Sequence, residues 1–267
     1  MRFDFTRPRT IVLAALLVGV LAGMVGATFA SLVTEPRVDD AIAIEDRRLA
    51  RMTPEERAKA QTVSDMATVS RHDQSGPGLF AAYAVAGAAF GLFLAVTSLS
   101  LRTTFGGPFR RVALSGLILG SAMTVAPWLK YPPNPPAVGD PATVGERERL
   151  YVLMIVLAAL VLAGAAHLSA RLRAAGWPDD RRVVTVAAAG LVAAGVVFAA
   201  MPPSPDAVTA PANLVWQFRI DSLVGNLLVW TVLTLGLGTL WAEAQRRAAA
   251  RAADQNSMPL RAEMPAS

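Results

Sequence analysis

The 267-residue chain contains no cysteine. Disulfides, thiolate metal sites, iron–sulfur clusters and a cysteine nucleophile are therefore excluded. Histidine is nearly as scarce. His72 and His167 are the only two, which excludes a multi-histidine metal cage within one chain. The only lysines are Lys59 and Lys130, and no G-x-x-x-x-G-K-[ST] occurs. The chain has no P-loop and no recognisable means of using ATP. Charge is thin as well, at 17% of residues against roughly 25% in soluble domains. In its place stand apolar residues, 54% of the chain, which puts it in the integral membrane class. The net charge of +5 fits cytoplasmic anchoring better than nucleic-acid binding.

Six apolar runs are long enough to cross a hydrocarbon core of about 30 Å. They cover residues 11–33, 79–101, 112–129, 150–170, 183–201 and 222–242. A signal peptide is the rival reading of the first. That run is long for an h-region, and its small-residue cleavage pattern near Ala27–Ser31 is poor, so a retained span is expected. The second run carries Gly87 and Gly91, and the third Gly116 and Gly120. This four-residue spacing lets helix backbones approach closely; chance glycines on a lipid-facing helix are the plain alternative. Loop 34–78 is the only long polar segment. Within it, Ala41 to Ala50 and Pro54 to Met66 read as helical. Thr53 stands as N-cap, Pro54 in the first turn and Glu56 at capping-box spacing. Residues 243–267 read as a polar, disordered tail.

Orientation follows from the lysine and arginine bias. With the N-terminus in the cytoplasm, segments 1–10, 102–111, 171–182 and 243–267 face inward and hold 14 basic and 6 acidic residues. Segments 34–78, 130–149 and 202–221 face outward and hold 11 basic and 14 acidic residues. The expected fold is all-α: one polytopic membrane domain over 1–242, six transmembrane helices as three hairpins, both termini cytoplasmic.

Between the third and fourth runs lies W-L-K-Y-P-P-N-P-P-A-V-G-D, Trp128 to Asp140. Four prolines (Pro132, Pro133, Pro135, Pro136) forbid helix interior and bias the chain to extended conformations. The segment is stiff, poor in N–H donors and rich in carbonyls. Its P-P-[NS]-P-x-A-V pattern recurs at an offset of 70, in Pro202 to Val208. The flanking spans recur at nearly the same offset. Two hairpins of equal orientation, each closed by a proline loop, would be related by an axis along the membrane normal. The plain alternative is that prolines merely recur at helix ends. Spans one and two could form a third, diverged hairpin whose loop begins Glu35-Pro36.

The Trp128–Gly145 stretch, followed by an apolar span beginning Leu150-Tyr151, closely resembles the CbtA family of cobalt transporter subunits. Val69–Leu79, Pro211–Ile220 and Glu35-Pro36 match in kind, so the resemblance covers nearly the whole chain. It implies a multi-pass component of a cobalt uptake system in a bacterial inner membrane, linked to cobalamin metabolism. It also implies a small one-span partner with a histidine-rich end. Many members carry a histidine-rich first loop; here that loop has only His72. A partner is therefore the better source of imidazoles.

Co²⁺ accepts imidazole, carboxylate and carbonyl oxygen. No predicted span interior contains an acid, so an ion path must use helix ends, carbonyls, Asn226, Met123, Ser115, Ser121 or His167. Acids crowd the outer loops instead (Glu35, Asp39, Asp40, Asp140, Glu146, Glu148 and Asp221) and would concentrate cations at a mouth. The candidate metal ligands are Asp140, Asp221, His72 and His167. The candidate mouth and pathway residues are Lys130, Tyr131, Pro132, Asn134, Pro135, Pro136, Gly139 and Asn226. Each has a bland reading beside it. Asp140 could be a turn aspartate, Asp221 a structural partner of Arg219 or an N-cap, and Asn226 an interhelical hydrogen-bonder. His72 could be a solvated loop residue and His167 an interfacial one. Lys130 and Tyr131 most simply anchor span three, or Lys130 bonds carbonyls or an acid that closes the mouth.

The leading reading is a cobalt (divalent-cation) transporter subunit that holds no permanent cofactor, carries Co²⁺ as its cargo and binds no nucleic acid. The alternative is a structural or assembly membrane protein without its own transport path. An enzyme is disfavoured, because no nucleophile–base–acid set is visible. Besides the lipid bilayer and the one-span partner, a homo-oligomer stays open.

Overall fold

The computed structural model describes residues 8–56, 70–101, 106–136, 138, 141–206, 208 and 210–262. Among them there is no strand, and six helices are long and apolar enough to cross a membrane. In chain order the helices are α1 (Pro8–Phe29), α2 (Glu35–Arg51), α3 (Arg71–Ser75), α4 (Pro77–Ser100), α5 (Pro108–Gly120), α6 (Ala126–Lys130), α7 (Val144–Ala174), α8 (Asp179–Ala200) and α9 (Ala212–Ala262). The expected six-span, all-helical fold is the observed one.

Several helices outrun their apolar cores. α7 begins six residues before its apolar run, and α9 begins ten before and continues to Ala262. The stretch from Glu243 to Ala262, read from sequence as disordered tail, is helix. Its alanines favour helix, and Arg246 and Arg247 bond Glu243 one turn away. The helical reading of Pro54 to Met66 is met at residues 54–56, and the remainder lies outside the described residues. The capping box forms there: the Thr53 N–H donates to Glu56 Oε2 at 3.0 Å, and the Glu56 N–H to Thr53 Oγ1 at 3.3 Å.

Two prolines sit within continuous helix, and one of them, Pro36, is expected from sequence to open a loop. A π-turn, Ala30–Thr34, joins α1 to α2, and a second, Ser121–Val125, joins α5 to α6. In each, the amide five residues on closes the turn: Glu35 N–H to Ala30 O, and Ala126 N–H to Ser121 O. The next residue is proline in both cases, Pro36 and Pro127. Proline removes one donor and crowds the preceding turn, and the wider turn passes it without ending the helix.

The chain divides into two compact units. One gathers the described residues of Met1–Val25, Ala81–Leu117 and Val229–Ser267. Its core is Leu94, Val112, Leu233 and Leu237, all fully buried, with Phe90 stacked on Trp230 at 5.1 Å. Helices α1 and α4 meet there on glycine. A methyl at Gly87 would sit 2.2 Å from the Gly19 carbonyl oxygen, and one at Gly91 2.2 Å from that of Ala15. The Gly87/Gly91 spacing therefore serves backbone-to-backbone packing, as a small-residue seam should.

The other unit gathers the described residues of Gly26–Phe80 and Ile118–Leu228. Here α7 and α8 form a hairpin. Ala175 and the left-handed Gly176 (φ 76°) turn the chain, with the Trp177 N–H returning to Leu172 O. None of the most apolar stretch of α8 is buried, against half of that of α1; its valines suit lipid contact. Two small cores fix the proline loops. Tyr131, Leu150, Met154 and Met201 form one. Ala41, Val138, Leu214 and Val215 form the other.

Candidate functional site at the proline loops

Helix α6 is capped by Tyr131; Pro132, Pro133 and the buried Pro135 follow without regular structure, and Pro136 lies in a turn that the Val138 N–H closes on Pro135 O. Donor-poor segments need side chains to tie them down, and the bonds are supplied across the repeat. Tyr131 Oη donates to Pro202 O at 2.7 Å. Lys130 Nζ donates to Phe198 O at 2.8 Å and lies 4.6 Å from the Phe198 ring centroid. Trp128 Nε1 donates to Arg219 O at 2.8 Å. Lys130, read from sequence as an anchor of span three or as bonding carbonyls or an acid, has a backbone carbonyl as its partner here. Burial pushes the Tyr131 phenol up from its ordinary value.

Asp206 is the centre of the polar contacts. Its side chain has no exposed surface. It accepts from Arg147 and, at 2.7 Å, from Asn134 Nδ2. Asn134 Oδ1 in turn accepts from Arg219 Nη2 at 2.7 Å. The relay Arg147–Asp206–Asn134–Arg219 thus joins both proline loops to the starts of α7 and α9. Both atom assignments of the Asn134 amide are used, which fixes its orientation. Sequence reasoning missed Asp206 and Arg147. The available signal was that Asp206 is the one acid inside either copy of the repeated motif.

A second cluster braces α2. Arg71, on α3, pairs with Glu35 and, at 3.0 Å, with Asp39. Burial works against its charge, but the bonds and fields of the two carboxylates outweigh it and hold the guanidinium above its ordinary value. Arg37 faces Asp221 at 3.6 Å.

The sequence-derived ligands do not converge. His72 is exposed on α3, and His167 is exposed along α7. Asp221 lies inside α9, nine residues past its first residue, so it is not an N-cap; its partner is Arg37 rather than Arg219. Asn226 donates to Ser222 O in its own helix at 2.9 Å. Asp140 and Gly139 lie outside the described residues. Pro132 is half-buried and Pro136 exposed. Among the described residues no three His, Cys, Asp or Glu side chains gather into a metal-binding group. The oxygens of the loops, the Asp206 carboxylate, the Asn134 amide and the Pro202 carbonyl, accept hydrogen bonds from within the clasp.

Six apolar helices, with two proline loops clasped around a buried carboxylate, define a polytopic helical membrane protein with a polar loop cluster. The family model described as probable cobalt transporter subunit (CbtA) matches residues 8–242. The chain belongs to the CbtA family. No curated protein and no solved structure matches it.

Proposed function

We propose that this chain is a membrane-embedded subunit of a cobalt uptake transporter, with both termini in the cytoplasm of a bacterial cell and the proline loops forming the outer mouth. The observation that carries the reading is the family match over 8–242. The charge bias favours the orientation. The relay centred on Asp206 supports a mouth, because buried ionic clusters within proteins of this class commonly mark a pathway. Co²⁺ is cargo, taken by hard oxygen donors in this chain. Imidazole donors come from a small, one-span, histidine-rich partner, since His72 and His167 stand apart and exposed. Asp140 keeps its place as an outer acid on sequence position alone.

An assembly role without a transport path is the second reading. The lack of a three-ligand group among the described residues favours it. Accumulation of ⁵⁷Co²⁺ in cells with and without the chain separates the two. Uptake that needs the chain supports transport, and equal uptake removes it. Asp140→Asn is expected to lower uptake at low external cobalt; unchanged uptake removes Asp140 from the mouth.

A further inference from the structure

The relay at the proline loops holds two guanidinium groups against one carboxylate. A cluster of that charge does not attract a dication while both arginines stay. The two arginines are not held alike. Arg219 is fixed at both ends: its backbone carbonyl accepts from the Trp128 indole N–H, and its guanidinium donates to Asn134 Oδ1. Arg147 has its guanidinium on Asp206 and a side chain 29% exposed, whereas that of Asp206 is 0% exposed. Arg147 also sits in the first turns of α7, where the helix dipole disfavours a positive charge. The Nε of each arginine is buried without a hydrogen-bond partner, so the difference lies in their other bonds. The hydrogen bond to the carboxylate holds the Arg147 guanidinium in place.

We propose that Asp206 is a cation-exchange site: Arg147 is a tethered cation that closes the two proline loops, and a divalent metal ion displaces it to bind the Asp206 carboxylate. This rests on the transport reading and names its entry site. The exchange replaces one carboxylate–guanidinium pair by a carboxylate–metal pair, and no proton or electron moves. Hard oxygen donors with water completing the shell suit Co²⁺ and its neighbours in the first row. Arg147 returning to Asp206 would then release the ion, so binding stays weak enough for transit.

The test is equilibrium binding of ⁵⁷Co²⁺ to the purified full-length chain in detergent. Arg147→Gln, which removes the competitor, should bind about tenfold more tightly than the parent, the ordinary size of a coupling between competing groups. Arg147→Lys, which retains a tethered charge, should stay near the parent. Asp206→Asn should lose binding. Asn134→Asp adds a second carboxylate and should tighten it, which keeps the proposal testable if Asp206→Asn fails to fold. Unchanged affinity in Asp206→Asn, or no gain in both Arg147→Gln and Asn134→Asp, overturns the exchange site. These outcomes are separable from the function itself. Cells that need the chain for uptake, with Asp206→Asn binding cobalt normally, keep the transporter and lose the site. Cells with equal uptake lose the transporter whatever the binding shows.

Discussion

Replacing Gly87 by alanine should destabilise the α1–α4 seam by an amount the geometry fixes. The added methyl would lie 2.2 Å from the Gly19 carbonyl oxygen, 2.9 Å from the Gly23 nitrogen and 3.0 Å from the Gly23 Cα, whereas ordinary contact begins at 3.4 Å. All three neighbours are backbone atoms, so no rotamer change relieves the clash and the helices must separate. Overpacking of this kind costs about 1–3 kcal/mol. Alanine also favours helix over glycine by about 1 kcal/mol, which would blur a single measurement. Gly195→Ala removes that term, since Gly195 also lies within a long apolar helix and has nothing within 4 Å of an added methyl. The difference between the two variants isolates the clash, and should be about 1–3 kcal/mol. The assay is reversible unfolding in mixed micelles with increasing SDS, followed by circular dichroism and by tryptophan fluorescence, to which Trp230 in the same unit contributes. Gly87→Ala should unfold at lower SDS than Gly195→Ala. Equal midpoints would refute the close-packed seam.

Three further outcomes follow from the loops. Tyr131→Phe removes a buried hydroxyl bond to Pro202 O and should cost about 0.5–1.5 kcal/mol, seen as a lower melting temperature in detergent; an unchanged melt removes that bond from the clasp. Arg71→Gln should unfasten α3 from α2, measured as faster amide exchange in Arg71–Ser75, with global stability changed by only about 1 kcal/mol or less because the pair is partly exposed. The Thr53 N–H and then the Thr53 hydroxyl hold the Glu56 carboxyl below the usual glutamate range. A depressed folded value means the cap is fully present above the ordinary glutamate range and is lost as pH falls through the folded one. Amide protection at Thr53 should decline on acidification, and protection that rises instead would contradict the capping box.

The apolar runs announced the helices because hydropathy reports the stretch a bilayer must accommodate. Helix ends were less legible for the same reason. Backbone hydrogen bonding continues wherever propensity and local pairs allow, as in the first turns of α7 and the long extension of α9. Pro36 misled as a loop start because a π-turn before it absorbs the missing donor, and turn type leaves no pattern in composition. Gly87 and Gly91 were readable as a packing seam, whereas their partners on α1 were not, since spacing names a face and not its neighbour. The polar clasp was the hardest part. Asp206 lies 72 residues from Asn134 and 59 from Arg147; its place as the one acid in the repeated motif marks the carboxylate but not partners that distant. Asp221 was singled out for its place at the start of a span, yet its charge faces Arg37 on α2.

The claim that the proline loops are the outer entry for cobalt is tested most directly on the native chain, which has no cysteine to remove. A single cysteine at the exposed Pro136 can be modified in intact cells with a charged, membrane-impermeant thiol reagent while ⁵⁷Co²⁺ uptake is followed. The account predicts labelling from outside, loss of uptake on labelling, and slower labelling when Co²⁺ is present. Full uptake after complete labelling, or labelling only after the cells are broken, would contradict it.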